Sequence, residues 1–140
     1  MGIQVRHIDF VSVPTRDVAR ARTFYTETLG FELRNDATLD GFRWLTVGPP
    51  DQKDLDILLA YPAPPMFSPE DAETVRALVA KGSLGGGVFE TADCQQTFEE
   101  LSAKGVTFLQ EPAERPYGIE ALFRDDSGNW FSLTQRKWVG

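Results

Sequence analysis

The side chains able to do chemistry near neutral pH are few in this chain, and their spacing sorts them. His7 is the single histidine. It reads first as a structural or surface histidine, and its imidazole would otherwise suit a general base. Cys94 is the single cysteine. It falls in the first turn of a helix capped by Asp93, where the helix dipole favours a thiolate. Its place in an apolar stripe instead reads as an inert, packed thiol. Arg115 and Tyr117 lie in Glu-Arg-Pro-Tyr-Gly, on a loop entering a strand. A guanidinium and a phenol there suit an anionic or aromatic ligand, and turn packing accounts for them as well. Glu120 joins His7 and Tyr117 as a candidate for acid-base work.

Strand alternation groups the remaining candidates. Trp130, Ser132 and Thr134 share one face of a strand, and Asp56, Leu58 and Ala60 share one face of another. An aromatic wall with a few polar anchors is the usual make-up of a small-molecule site, while Trp130 could also simply fill core. Arg43 and Glu120 stand at matching offsets in two similar segments. They could form an ion pair or line a pocket in which Arg43 grips a carboxylate, or they could lie on a solvated strand face. Trp44 then points to the opposite side from Arg43. The glycine run Gly82-Ser-Leu-Gly-Gly-Gly87 follows a helix and enters a strand. Phosphate loops leave a strand and open a helix, so it is read as room for a close backbone or ligand approach.

The elements that must position these residues occur twice. Phe10-Val-Ser-Val-Pro-Thr-Arg-Asp17 leads to a helix and then to Leu29-Gly-Phe-Glu-Leu33. Gly86-Gly-Val-Phe-Glu-Thr-Ala-Asp93 leads to a second helix and then to Lys104-Gly-Val-Thr-Phe108. Alternation predicts a strand over 3–13, and Asp17 caps a helix from Val18 to about Thr28 that ends at Gly30. Strands follow at 31–35, 42–47 and 55–61. The second copy repeats the order, with strands at 87–91, 106–110, 119–124 and 130–135. Gly41-Phe-Arg-Trp-Leu45 is matched to Gly118-Ile-Glu-Ala-Leu122. Between the copies, Ser68-Pro-Glu-Asp71 is a strong helix start. The expected fold class is α+β, with paired βαβββ modules forming curled mixed sheets around a concave cavity. We read 1–140 as one domain, with modules at 3–61 and 84–137 and a helical linker at 62–83.

Composition narrows the classes of function. The 140 residues suit one compact domain, and the net charge of -7 argues against nucleic acid and anionic membranes as partners. No apolar run approaches a membrane span, and the opening residues carry no signal core. One histidine and one cysteine exclude the familiar zinc clusters, and the lone cysteine fits a reducing cytoplasm.

The two Asp-capped units, the string Phe24-Tyr25-x-x-x-Leu29-Gly30-Phe31, and the ending Tyr117-Gly118 then Phe123-Arg-Asp-Asp-Ser-Gly-Asn129 resemble the vicinal oxygen chelate superfamily. This group holds glyoxalases, bleomycin resistance proteins and extradiol dioxygenases. The resemblance covers nearly the whole chain. It implies four metal-ligand positions, which fall here on Phe10, Leu58, Gly86 and Ser132. None offers the His or carboxylate that catalytic members use. The resemblance therefore implies a member without metal or other cofactor that binds a small molecule through Phe10, Asp56, Leu58, Arg115, Tyr117, Trp130 and Ser132. Bleomycin-type resistance is its precedent, and a homodimer is expected. The competing expectation is a glyoxalase-like lyase, isomerase or dioxygenase. That enzyme would use an unusual metal site at Asp9, Asp56 or Glu120, or acid-base catalysis by His7 or Tyr117.

Overall fold

The computed structural model describes residues 2–137. Two compact units divide the chain, Met1–Tyr61 and Pro62–Gly140. Each carries one βαβββ module, so the fold is α+β as the sequence predicts.

The first unit runs β1 (Phe10–Pro14), α1 (Val18–Thr23), β2 (Glu32–Leu39), β3 (Phe42–Gly48) and β4 (Asp56–Ala60). Asp17 starts α1 by accepting a hydrogen bond from the backbone N–H of Arg20. A π-helical turn, Phe24–Thr28, then widens the helix, marked by the bond from the Leu29 N–H to the Phe24 carbonyl at 3.0 Å. The turn carries Tyr25, which is fully buried with Phe24 and Phe31 packed edge-on against it. The sheet order is β1-β4-β3-β2, with β1 parallel to β4 and the other pairs antiparallel. Leu45, Val47 and Leu59 are fully buried, like Ala21 and Tyr25 of the helical segment. Alternation places Phe42, Trp44 and Thr46 on the other face of β3.

The second unit opens with α2 (Pro69–Ala80), whose cap Ser68 accepts from the Asp71 N–H. Then come β5 (Gly85–Glu90), α3 (Cys94–Ala103), β6 (Phe108–Arg115), β7 (Gly118–Arg124) and β8 (Trp130–Arg136), in the sheet order β5-β8-β7-β6. Asp93 caps α3 as Asp17 caps α1. The core of this unit is aromatic: Phe89 stacks on Phe131 at 4.7 Å, and Phe108 and Phe123 continue the cluster toward Phe98 of α3. At the far side, Arg124 donates to the carbonyls of Gly82 and Gly128, which ties the end of α2 to the turn before β8. The linker helix thus packs within its own unit.

Three expectations need correction. The strand predicted from residue 3 begins only at Phe10, and residues 2–9 are exposed. β1 pairs with β4 alone, and β4 itself starts at Asp56, opposite Phe10; the Asp56 N–H donates to the Asp9 carbonyl, and residues 2–8 lie beyond the ladder. The matching of Arg43 to Glu120 is off by one. Both β2–β3 and β6–β7 hairpins turn over two residues, pairing Leu39 with Phe42 and Arg115 with Gly118. Gly41 sits inside the first turn at φ 80°, whereas Gly118 is the first residue of its strand, so the two glycines are not equivalent. Trp44 is therefore the counterpart of Glu120. Last, Arg43 and Glu120 each have partners within their own unit. Arg43 donates to both oxygens of Asp36, and Glu120 has other partners.

Candidate functional site

β5, β7 and β8 assemble a polar site on the sheet face turned away from α3. The register sets Glu120 opposite Thr134, and Val88 and Leu122 beside Ser132, so alternate residues of three strands share this face. A cavity of about 360 Å³ is lined by Val88, Tyr117, Glu120, Thr134 and Arg136. Thr134 is the buried member of this lining, 5% exposed, and Ser132, 3% exposed, lies beneath it with the two hydroxyl oxygens 2.7 Å apart. Val88 is 61% exposed and supplies apolar surface at the mouth.

Glu120 is the hub. Its Oε2 accepts from the Ser132 hydroxyl at 2.6 Å, its Oε1 accepts from the Tyr117 phenol at 2.7 Å, and Arg115 Nε stands 3.8 Å from Oε1. Burial pushes the carboxyl up, but the bonds from Ser132 and Tyr117 and the charge of Arg115 outweigh it. The group is left below the ordinary carboxylate range. The same bond raises the Tyr117 phenol, because ionising it would set two negative charges side by side. Arg115 also donates to Gln110, whose amide in turn donates to the Glu120 carbonyl. Across β5 and β8, Arg136 pairs with Glu90 at 3.1 Å.

The other named residues lie elsewhere. Trp130 shares the face of Ser132 and lies beside the glycine run, with its ring edge 3.8 Å from where a Gly86 Cβ would stand. Phe10 and Trp44 meet edge-on in the first unit, and Phe42 meets Trp44 in the same way. This aromatic trio on the first sheet was not anticipated, because pairing Arg43 with Glu120 hid that Trp44 is the true counterpart. Asp56 is held by Arg34 at 2.7 Å, and Leu58 is buried. Arg34 also donates to the carbonyls of Pro49, Gln52 and Leu55, clamping the loop between β3 and β4. Cys94 is fully buried and its thiol donates to the Leu133 carbonyl; burial pushes its pKa up, against a reactive thiolate. His7 is exposed and outside any element. Thr134, Arg136 and Gln110 are further site residues missed as such. Alternation along β8 carried the signal for the first two, and the β6 register shift hid Gln110.

The four positions implied for a metal can be tested one at a time. Phe10 and Leu58 are apolar. Gly86 has no side chain and holds φ 106°, a conformation L side chains rarely adopt. Ser132 is neutral and its hydroxyl is directed at Glu120. Among the described residues no three His, Cys, Asp or Glu side chains gather as a metal would require. The donor set does not fit a divalent ion.

Comparison with known proteins agrees with this architecture. The structure superposes on that of UcmS2 with a TM-score of 0.87 at 47% identity, covering 94% of this chain and 98% of the other. It superposes with a TM-score of 0.78 on TnmS3, an antibiotic binding protein from Streptomyces sp. CB03234, at 31% identity, covering 97% of this chain and all of the other (100%). The uncharacterized protein YurT of Bacillus subtilis (strain 168) is 35% identical over 126 residues, which is 89% of this chain and 95% of YurT. Residues 7–133 match the model of the Glyoxalase/Bleomycin resistance protein/Dioxygenase superfamily, and the chain belongs to that family.

Proposed function

We propose that this protein binds a small organic molecule without a metal, in the manner of a drug-binding or drug-sequestering member of its family. One observation carries the reading. At Gly86, the position matched to the second copy's first metal ligand, there is no side chain, and the φ of 106° strains any side chain introduced there. Ser132, the only polar residue of the four, is directed at a carboxylate instead. The cavity lined by Val88, Tyr117, Glu120, Thr134 and Arg136 supplies the aromatic and polar lining that a small-molecule site needs. The likeness to TnmS3 supports the same class of ligand.

An enzyme acting without metal would draw on Tyr117 and Glu120. The raised phenol and lowered carboxyl work against that role at neutral pH, because neither titrates there. We further propose a cytoplasmic homodimer. The exposed Phe10, Trp44 and Val88 are apolar surface of the kind a second copy would cover. Among the described residues no helix is long and apolar enough to cross a membrane.

Metal content of tag-free protein purified without chelators tests the reading, together with thermal melts in Mn, Ni, Zn and Fe(II). Stoichiometric metal, or strong stabilisation by one ion, would overturn it. A melt screen over aromatic antibiotics should yield stabilising ligands. Tyr117→Ala, which removes the aromatic ring lining the cavity, should weaken their effect, and an unchanged response would place the pocket elsewhere.

A further inference from the structure

The direction of each hydrogen bond at the cavity floor follows from one fact. An ionised carboxylate only accepts. The Ser132 hydroxyl must therefore direct its proton to Glu120 Oε2, across 2.6 Å. Ser132 Oγ also lies 2.7 Å from Thr134 Oγ1. Having one proton, already committed, Ser132 can only accept there, and Thr134 must donate. The Tyr117 proton is likewise committed to Glu120 Oε1. All three hydroxyl protons thus run inward along a relay that ends on Glu120. What the floor presents outward is the lone pairs of Thr134 Oγ1, of Tyr117 Oη and of the carboxylate itself.

From this polarity we infer that the ligand addresses the floor with a hydrogen-bond donor, a neutral hydroxyl or an amine or ammonium group attached to an apolar body. An ether oxygen or a carboxylate placed there would face lone pairs with no proton to share. The cationic donors do not reverse this. Arg136 is at the rim, paired with Glu90, and Arg115 is engaged by Gln110 and Glu120. The charged residues of the lining also balance in sign, Glu120 against Arg136. The choice of ligand then falls to the buried hydroxyls rather than to net charge. An unmatched polar contact in a desolvated floor is costly, so the discrimination is expected to be substantial.

This inference rests on the small-molecule reading and can fail separately from it. The probes are naphthol, naphthylmethylamine, methoxynaphthalene and naphthoate, titrated into the full chain and followed by ligand-observed NMR and calorimetry. Naphthol and the amine should bind about tenfold tighter than methoxynaphthalene, with naphthoate weakest. Thr134→Val, which removes one of the three acceptors, should reduce the preference for naphthol over its methyl ether, and Thr134→Ser, which keeps the hydroxyl, should retain it in full. Equal affinity for naphthol and methoxynaphthalene would overturn the inference while leaving the small-molecule reading intact, as would a preference undiminished in Thr134→Val. Binding by none of the four would overturn both. The comparison among probes on the unaltered protein stands even if the valine variant does not fold.

Discussion

Replacing Glu120 by Gln keeps the shape of the hub and removes its charge, so it isolates what the carboxylate contributes. The wild-type group accepts two short bonds, at 2.6 Å from Ser132 and 2.7 Å from Tyr117. Hydrogen bonds to a charged group contribute roughly 1.5–3 kcal/mol, against roughly 0.5–1.5 for neutral pairs, so each arm would lose about 1 kcal/mol. Two effects reduce this total. The Tyr117 arm is half-exposed and screened, and relieving the burial of a charge returns part of the loss. A net destabilisation of about 1 kcal/mol remains, or about 3 °C in Tm for a domain of this size. The sign of its pH dependence is fixed. Glu120 has a folded-state pKa below its reference value of 4.5, so its stabilisation is complete above that value and fades as pH falls through the folded-state pKa. Urea unfolding of wild type and Glu120→Gln should therefore differ by about 1 kcal/mol at neutral pH, with unchanged m-values, and the gap should close in acid. A gap that is constant with pH, or absent at neutrality, would refute the placement of Glu120 as an ionised hub.

Three other substitutions probe what positions the site. Gly86→Ala forces a Cβ onto φ 106° and should cost about 1–2 kcal/mol by denaturant unfolding; no cost would mean that the strand relaxes freely there. Arg34→Met removes the clamp on the carbonyls of Pro49, Gln52 and Leu55 and leaves Asp56 without its cation. Amides of residues 51–55 should then exchange faster with solvent, and stability should drop by about 2 kcal/mol; unchanged exchange would deny the clamp. Asp17→Ala and Asp93→Ala each delete a helix cap and should each cost about 1 kcal/mol, adding in the double variant because they share no partner. A strongly non-additive double variant would mean that the two helices are coupled.

What was legible in the sequence was local. Asp17, Ser68 and Asp93 announce their helices because a cap and its N–H partner lie three residues apart. Ser132 and Thr134 were grouped correctly because alternation needs only one strand. The errors arose wherever a second strand decides. Ile3 and Val5 alternate as a strand would, yet β4 offers them no partner. Gly41 and Gly118 look alike in sequence, but one makes a turn and the other admits a close backbone. A Cβ on Gly118 would stand 2.0 Å from the Gln135 carbonyl. That shift of one residue hid the counterpart of Glu120 and the aromatic trio with it. Arg34 was missed altogether, because its carbonyl acceptors come from a loop with no pattern of its own. The orientation of the hydroxyl relay could be known only once Glu120, Ser132 and Thr134 were seen on one face.

The most direct test of metal-free binding is the calorimetric affinity for naphthol, measured once in excess EDTA and once with added Zn, Mn or Ni. The same saturable affinity in both conditions is the expected result. Binding that appears only with a metal, or fails in both, would contradict the assignment of this cavity.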